Sequence, residues 1–499
     1  MFRFLPSSFR SSLRRSLRCA ALLLTLPVLG AVSARADYTT TVQPTTSYGV
    51  WDGWGCSLAW WANVFGTRTD LAGTIFGVGT VSLTTNTGTY ALPGLGLNIA
   101  RYNVGGSGSG MSVPTTMPAW KQIPGYWLDW NSSDPASSSF NWYTDSNQRN
   151  ALWNARNAGA TLFEAFSNSP MYWMCNSNSS AGSTTNNAEG LQTWNHTQAA
   201  VYLATVAKYA HDNWGINFTS VDPFNEPSAG WWNYTGAGQE GCNIYTSTGT
   251  QQAVLNALRT ELNNRGLQSV GVAASDENSP DQALSTWNAL DSGTRGSISR
   301  INTHGYSGQS AYRGSNRGPL FSAVSAGGKK LWMSEYGEGD ASGLTMAQSI
   351  LLDLNQMHPS GWVYWQPLDS GGWGLIQSNP GDNWIGAPNP KYYVLAQFSR
   401  SIRPGMTILS SGDPNTVAAY DPAGHTLALV TLNGATGQWI NYDLSRFSHA
   451  AGPITRWDTQ TGGGDLYVQH NDTSLSGTKF WSWFSPNTVQ TFVVQNVSL

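Results

Sequence analysis

Eight strand-like runs alternate with helical stretches between Trp51 and Pro404, and this alternation constrains the fold more than any other feature. Each run begins with apolar residues and ends with polar or aromatic ones, as strands do when they are buried and open onto a binding face. The pattern predicts a parallel α/β fold, a (β/α)8 TIM barrel over residues 51–404. The runs are Val50–Ser57, Gly96–Gly106, Ala160–Pro170, Phe218–Pro227, Val270–Asn278, Arg300–Gly308, Lys330–Gly339 and Trp362–Gly371.

Helical patterns fill the intervals between these runs. The segment His196–Gly215 repeats apolar residues at three- and four-residue spacing, and Gln251–Gly266 ends in a glycine where a helix cap is expected. Met346–Met357 and Lys391–Gly405 provide the last two helices. The chain therefore supplies the eight strands, with helices between them, that a (β/α)8 barrel needs.

The pattern changes after Gly405 to short alternating segments joined by Gly, Asn and Asp turns. Such segments are typical of an antiparallel β-sandwich, which we predict over residues 405–499. Residues 37–50 are predicted to form a strand that joins the same sandwich. A tethered carbohydrate-binding module is the alternative, but no Pro/Thr/Ser linker precedes it, so we expect a docked domain.

The first 36 residues resemble a leader rather than part of the fold. Five arginines without an acid precede an apolar run too short to span a membrane, and a small-x-small site ends at Ala36. We therefore predict a signal peptide over residues 1–36, cleavage before Asp37, and an exported protein. Arg14 and Arg15 leave a twin-arginine signal as the alternative to an ordinary secretory one.

The composition limits the partners of the chain. Charged residues make up 11%, and the formal net charge is −3, without a basic block. Nucleic acid is therefore not expected as a partner, nor is a membrane. Amide, hydroxyl and aromatic side chains suit a neutral, hydroxyl-rich ligand, although low charge is also compatible with a merely stable secreted protein. We expect a monomer.

The cysteines allow at most one intramolecular disulfide after the leader is removed. Cys175 and Cys242 follow the third and fourth predicted strands, so their loops should emerge side by side. An oxidising compartment favours the bond, which would leave Cys56 free. The spacing of cysteines and histidines does not indicate a metal site, and neither a metal nor another cofactor is expected.

Two glutamates end predicted strands four and seven: Glu226 in DPFNEPS and Glu335 in LWMSEYGEGD. The strand ends of a barrel carry its catalytic groups, and paired carboxylates across a cleft are the usual means of cutting a glycosidic bond. In a retaining reaction one carboxyl protonates the leaving oxygen and the other attacks the anomeric carbon. We assign the acid/base role to Glu226 and the nucleophile role to Glu335.

Four further residues are predicted to support this pair. The Asn225 amide can hold a sugar 2-hydroxyl, and Tyr306 at the end of strand six can donate a hydrogen bond to the nucleophile. Arg101 on strand two can lie beneath Glu335 and lower the pKa of its carboxyl. His304 can hold a sugar hydroxyl or cap its strand.

Aromatic residues after the strands are candidates for a sugar platform, since sugar C–H faces stack on aromatic rings. Trp173, Trp232 and Trp365 are the strongest candidates, although a barrel tryptophan more commonly packs than binds. The other aromatic candidates are Trp60, Trp61, Tyr172, Trp231 and Trp373. Glu277 and Glu338 are acids near the cleft that we interpret as hydrogen-bonding or solvated rather than catalytic.

The strings DGWGCSLAWWA, LGLNIARYN, FSNSPMYWMC, FNEPSAGWW and RWDTQTGGGD resemble glycoside hydrolase family 30, and within it the endo-β-1,6-galactanases. The resemblance runs from about Tyr38 to the end of the chain. It implies a retaining barrel enzyme with a side sandwich, an acid/base at Glu226 and a nucleophile at Glu335. It also implies internal cleavage of the β-1,6-galactan side chains of arabinogalactans.

Other functions stay open on the sequence. The enzymatic alternatives are a β-1,6-glucanase, a glucuronoxylanase or a glucosylceramide-cleaving enzyme of the same family. The non-enzymatic alternative is a carbohydrate-binding protein on an inactive barrel, which would be expected if Glu226 or Glu335 were replaced.

Overall fold

Eight parallel strands close into a barrel. The computed structural model describes residues 37–114, 116–306 and 316–499, so the predicted signal peptide and residues 307–308 of the sixth predicted strand lie outside the described residues. Each barrel strand pairs with its neighbours in chain order, and the eighth closes the barrel on the first. The strands are Gly53–Ser57, Ile99–Asn103, Leu162–Phe166, Ser220–Asp222, Gly271–Glu277, Arg300–His304, Lys330–Tyr336 and Gly361–Tyr364.

All eight strands overlap the eight runs in the sequence, and the predicted fold class is confirmed. The first, second and sixth strands are buried at every residue, because side chains facing inward fill the barrel and those facing outward meet helices. This two-sided burial explains why the runs are nearly continuous in apolar residues. The strand ends where polar residues begin form one face, on which the candidate site lies.

Helices cover the outside of the barrel. The helix His196–Tyr209 continues through a π-helical turn to Trp214. The helix Thr250–Asn264 is followed by Gly266 at φ +74°. A left-handed residue just past a helix end favours glycine, as the sequence indicated. The remaining α-helices are Trp61–Phe65, Thr69–Phe76, Ser146–Ala158, Pro280–Ala289, Ser292–Ser297, Arg317–Ala326, Leu344–Leu352 and Pro390–Ser399.

Two sheets form a sandwich beside the barrel. The seven-stranded sheet contains, in spatial order, Gln43–Val50, Thr407–Ser410, Thr416–Asp421, Thr426–Asn433, Thr488–Val494, Ile454–Gln460 and Leu466–His470. The three-stranded sheet contains Tyr38–Thr41, Gln438–Asp443 and Lys479–Phe484. The N-terminal segment thus supplies one strand to each sheet, where the sequence suggested a single strand.

The central strands of the seven-stranded sheet are buried on both faces, and the sheet packs against the barrel. Along one strand, Val417 and Ala419 belong to the barrel core, whereas Ala418 and Tyr420 belong to the sandwich core. This is the two-residue alternation of a strand. The buried Gln397, on the last barrel helix, bonds to strands of the sheet. The sandwich is therefore docked on the barrel.

Short strands complete the described part of the chain, and some of them border the candidate site. None of the helices described combines the length and the hydropathy needed to traverse a bilayer. The short strands are Thr80–Thr85, Gly88–Pro93, Leu368–Asp369, Ile376–Asn379, Trp384–Pro388, His449–Ala450 and Val497–Ser498.

Candidate active site

A cavity of about 490 Å³ opens at the carboxyl ends of the barrel strands. Glu226 and Glu335 both line it, together with Asn225 and Tyr306. These four predicted site residues therefore come together. The rest of the lining is Trp60, Lys121, Asn168, Trp231, Trp232, Gly238, Gln239, Asn278, Trp365, Asp369, Ser370 and Trp373.

Glu226 is held firmly by its backbone. It lies in a turn just after the fourth strand, at φ +47°, a left-handed conformation that costs a residue with a side chain about 1 kcal/mol. Its N–H donates to the Asp276 carbonyl at 2.8 Å, and its carbonyl accepts from Trp232 Nε1 at 3.1 Å. The Oε1 atom accepts from Asn278 Nδ2 at 3.0 Å. These bonds fix the direction of the carboxyl.

Glu335 lies within the seventh strand, where both carboxylate oxygens have partners. Tyr306 Oη donates to Oε1 at 2.8 Å, and Arg101 Nη1 donates to Oε2 at 3.1 Å. Burial raises the pKa of the Glu335 carboxyl and outweighs the lowering by His304 and Arg101. The predicted effect of Arg101 is therefore present, but the net shift has the opposite sign to the one expected.

His304 lies between the two carboxyls, in a position that the sequence did not indicate. Its Nδ1 is 3.2 Å from Glu226 Oε1 and 3.6 Å from Glu335 Oε1, and its Nε2 is 3.1 Å from Asp276 Oδ2. Burial alone would lower the pKa of the imidazole, but Glu335 and Asp276 raise it well above its usual value. His304 is wholly buried and does not line the cavity. The structure thus adds a contact with both acids, and the expectation that His304 holds a sugar hydroxyl or caps its strand stays a prediction.

Arg101 is also wholly buried and supports the site from below. Its Nε lies 3.1 Å from Glu164 Oε1 and its Nη2 lies 2.7 Å from Asp276 Oδ2, in addition to its contact with Glu335. Arg101 does not line the cavity, so it is a positioning residue beneath Glu335 and not one that touches the substrate.

Asp276 is the main residue that the sequence analysis missed. Although burial alone would raise the pKa of its carboxyl, Arg101 and His304 hold that pKa below its usual value. Its charge thus offsets part of the positive charge of Arg101 and His304. The string SDEN at the end of strand five was the available signal, but it drew attention to Glu277 instead.

One carboxylate oxygen of Glu226 and one of Glu335 lie within 4.8 Å of each other. Retaining glycosidases hold their two carboxyl groups about 5–5.5 Å apart, and inverting ones hold them farther apart. The His304 ring is near enough to complete a metal site by distance alone. However, Tyr306 and Arg101 already donate to Glu335, and a protonated imidazole cannot ligate a cation. The arrangement suits proton transfer and nucleophilic attack.

Tryptophans line much of the cavity. Trp232 and Trp365, both predicted, reach it with small exposed areas. Trp231 and Trp373 offer larger faces, since 47% and 41% of their surfaces are exposed. Trp60 contributes an edge-on partner to Trp365, with ring centroids 4.9 Å apart.

Trp173 does not reach the cavity, which corrects its predicted role in sugar binding. It is buried, its Nε1 donates to the Trp127 carbonyl at 2.9 Å, and its ring packs edge-on against that of Trp127. Trp61 is likewise a core residue. The loop after the third strand turns inward here, and strand position alone could not reveal that.

Lys121 and Asp369 were not anticipated, although Asp369 lies in the eighth predicted run, at the end of the short strand Leu368–Asp369. Lys121 Nζ lies 4.1 Å from the ring centre of Trp60, and burial lowers the pKa of its ammonium despite the opposing effect of Asp369. Together they place one cation and one anion on the cavity wall.

Glu277 and Glu338 do not line the cavity. Glu277 is wholly buried and accepts hydrogen bonds from Ser228 and Thr286, and burial raises its pKa to about 7. Glu338 pairs with Lys391 Nζ at 2.7 Å. Both therefore have structural partners.

The three cysteines of the described residues are free thiols in the structure, so the predicted disulfide is not formed in it. Cys175 and Cys242 are nevertheless neighbours: a hydrogen bond with Cys175, together with burial, raises the pKa of the Cys242 thiol well above its usual value. The pairing of these two residues stays a prediction.

Comparisons with known proteins agree with this geometry. The family model described as O-Glycosyl hydrolase family 30 matches residues 31–315. An endo-β-1,6-galactanase from Hypocrea rufa is 47% identical over 475 residues, which cover 93% of this chain and 96% of that protein.

Solved structures share the fold. A conserved exported protein from Bacteroides fragilis superposes with a TM-score of 0.74 at 18% identity, over 91% of this chain and 100% of that one. The catalytic domain of GH30 xylanase C from Talaromyces cellulolyticus gives 0.66 at 21% identity, over 92% and 100%. The family match and the extent of the galactanase similarity are decisive: the chain is a glycoside hydrolase and belongs to glycoside hydrolase family 30.

Proposed function

We propose that this protein is a secreted, retaining endo-β-1,6-galactanase that cuts the β-1,6-galactan side chains of arabinogalactans. The observation that carries the chemistry is the placement of Glu226 and Glu335 across one cavity, with oxygens within 4.8 Å of each other. The similarity to the Hypocrea rufa enzyme supports galactose as the sugar.

Glu335 is the nucleophile in this proposal. One of its carboxylate oxygens bonds to the anomeric carbon while the bond from that carbon to the leaving sugar oxygen breaks. Tyr306 and Arg101 fix the carboxylate in place, and Arg101 favours its charged form. The buried position removes water from the nucleophile, which strengthens these interactions.

Glu226 gives its proton to the leaving oxygen in the first step. In the second step its carboxylate takes a proton from water, the water oxygen bonds to the anomeric carbon, and Glu335 is released. The Asn278 amide keeps the carboxyl of Glu226 directed toward the cavity throughout. His304 lies against both acids, so its positive charge offsets negative charge that moves between them.

Substrate binding rests on the cavity wall. Trp231 and Trp373 have enough exposed surface to stack on sugar rings, and Asn225 places an amide beside the acid. A β-1,6-linked chain has an extra rotatable bond in each linkage, so several contacts are needed to hold it in one conformation.

Export is the remaining part of the proposal. The leader-like pattern of residues 1–36 supports it. N-terminal analysis of the protein from culture medium should give Asp37 as the first residue. A mature chain that still begins with the leader would contradict signal cleavage after Ala36.

The decisive assay compares linear β-1,6-galactan with β-1,6-glucan, followed by chromatography of the early products. We expect short galacto-oligosaccharides with little free galactose, and slower cleavage of the glucan. Glu335→Gln is the inactive control. Faster cleavage of glucan would overturn the galactose preference, and galactose or one short product alone from the first minutes would overturn the endo mode. Binding without cleavage would favour the carbohydrate-binding alternative.

A further inference from the structure

The outer face of the three-stranded sheet carries a row of tryptophans far along the chain from the catalytic residues. Trp481 and Trp483 lie two residues apart on one strand, so both side chains point to the same face. Trp439 on the neighbouring strand lies directly opposite Trp483. We call these three residues the tryptophan face.

The three indoles lie against the sheet instead of projecting from it. Their exposed fractions are 39% for Trp439, 38% for Trp481 and 46% for Trp483, and the rings of Trp439 and Trp483 are 5.8 Å apart between centroids. A Cβ atom on Gly437 would lie 2.5 Å from the Trp483 ring, so the ring rests on the bare backbone there. Each indole thus keeps accessible surface, and packing fixes the positions of Trp439 and Trp483.

Polar groups around the tryptophan face are mostly uncharged or paired, apart from the Asp37 carboxylate, which accepts from the Trp439 N–H at 2.7 Å. Asn441, which lies between Thr39 and Trp481 across the strands, is only 6% exposed. Its Nδ2 donates to Thr39 Oγ1 at 3.1 Å, but its Oδ1 has no partner in the described part of the chain. Beyond it, Lys479 Nζ and Asp443 Oδ2 form an ion pair at 3.1 Å. Among the described residues, the surface therefore carries no excess of positive charge.

The tryptophan face and the catalytic cavity lie on different parts of the molecule. The inner side of the three-stranded sheet, with Ile440 and Tyr442, packs in the sandwich core against Phe492 of the seven-stranded sheet. The seven-stranded sheet in turn packs on the barrel. The tryptophan face therefore points away from the barrel and shares no residue with the cavity lining.

We propose that the tryptophan face is a second carbohydrate-binding site, which holds a neutral polysaccharide chain of the same class as the substrate while the cavity acts on another stretch. The choice of polymer rests on the proposed function. Partly exposed indole faces match the C–H surfaces of sugar rings. The lack of excess positive charge among the described residues of this face disfavours a nucleic acid or an anionic membrane, which would need excess cations.

Such a site would matter for long chains. A polymer held at the sandwich raises the local concentration of cleavable bonds at the barrel, as in any two-site ligand. Short oligosaccharides cannot reach both sites and gain nothing. A comparison of activity on long and on short substrates therefore distinguishes the effect of the second site from that of the catalytic site.

The binding test is native electrophoresis in gels that contain soluble de-arabinosylated arabinogalactan. Glu335→Gln protein is used so that the polymer is not cut during the run. We expect retardation by the polymer, and adding Trp439→Ala with Trp483→Ala should raise the apparent Kd by roughly tenfold, because two stacking contacts are lost. Gly437→Ala keeps all three indoles but displaces Trp483, and it should also weaken retardation.

Trp194→Ala is the matched control, since this tryptophan is 73% exposed on the barrel and lies outside both sites. It should leave the retardation unchanged, and thermal unfolding should show that each variant is folded. Equal retardation of all folded variants would overturn the proposal. A concentration-dependent dimer that the double change abolishes, without loss of polymer binding, would overturn it too and show that a second copy covers the face.

Activity separates this proposal from the function on which it rests. In the otherwise native enzyme, Trp439→Ala with Trp483→Ala should keep the rate on short galacto-oligosaccharides within twofold and reduce the rate on the polymer. If the native enzyme cleaves no β-1,6-galactan but tryptophan-dependent retardation persists, the function is wrong and the second site stands. If cleavage is normal and retardation does not depend on these tryptophans, only the second site is wrong.

Discussion

Tyr306 Oη donates a 2.8 Å hydrogen bond to Oε1 of Glu335, at the edge where the nucleophile meets the cavity. Tyr306→Phe removes this donor and little else. We expect kcat to fall by roughly a hundredfold, as for other single donors at a reacting oxygen. A hydrogen bond to the charged form lowers a pKa, so its loss should raise the pKa of Glu335 and move the acid limb of the activity profile to higher pH.

The measurement is kcat and kcat/KM against pH on a galacto-oligosaccharide. Tyr143→Phe serves as control, because Tyr143 is almost fully exposed and lies outside the cavity. A Tyr306→Phe enzyme with lower activity but an unmoved acid limb would show that the hydroxyl acts on the substrate instead of on Glu335.

The sequence predicted the barrel and the position of its acidic pair because both depend on local patterns. Buried parallel strands need apolar runs, and Glu226 and Glu335 sit at the ends of two such runs. Their order along the chain fixes which strands they follow. Because a closed barrel places the carboxyl ends of all its strands on one face, the two glutamates come to the same cavity.

The surroundings of the pair depend on tertiary contacts that no local pattern encodes. His304 contacts both acids only because the sixth strand lies between the fifth and seventh in the closed barrel. Asp276 is indistinguishable in sequence from a solvated acid, yet it lies beneath the site. Trp173 follows a strand just as Trp232 does, but its loop turns into the core.

Replacement of Glu335 and replacement of Glu226 should have different effects on the kinetics. Glu335→Gly removes the nucleophile and opens space on its side of the sugar, so azide should restore turnover and yield an α-glycosyl azide. Glu226→Ala keeps the nucleophile, so it should be slowed most on substrates with poor leaving groups. Proton NMR of the native reaction should show the β-anomer first; an α-anomer as the first product would contradict retention.

Glu277 should make stability depend on pH without contributing to catalysis. Its pKa is raised by burial to about 7, above its ordinary value of 4.5. Between these values the folded chain keeps a proton that the unfolded chain has released, so stability falls as pH rises through this window. The full shift corresponds to roughly 3 kcal/mol.

Glu277→Gln removes this titration while the hydroxyls of Ser228 and Thr286 can turn to accept from the new amide. The free energy of unfolding of the variant minus that of the native protein should therefore be larger at pH 8 than at pH 5. Activity should be retained. Urea unfolding at the two pH values measures the difference. Equal stability differences at both would show that Glu277 is already ionised in the folded protein.

Cys175 and Cys242 should be joined in protein recovered from an oxidising compartment, with Cys56 free. Cys175 lies close enough to Cys242 to raise the pKa of its thiol, so bond formation needs little movement, whereas Cys56 is wholly buried in the first barrel strand. The raised pKa of Cys242 keeps it protonated at neutral pH, so formation should be slow without a catalyst. Non-reducing peptide mapping should give one linked peptide pair, and Cys56→Ala should leave that pair unchanged. Detection of Cys56 in a disulfide, or of three free thiols after prolonged catalysed oxidation, would refute the pairing.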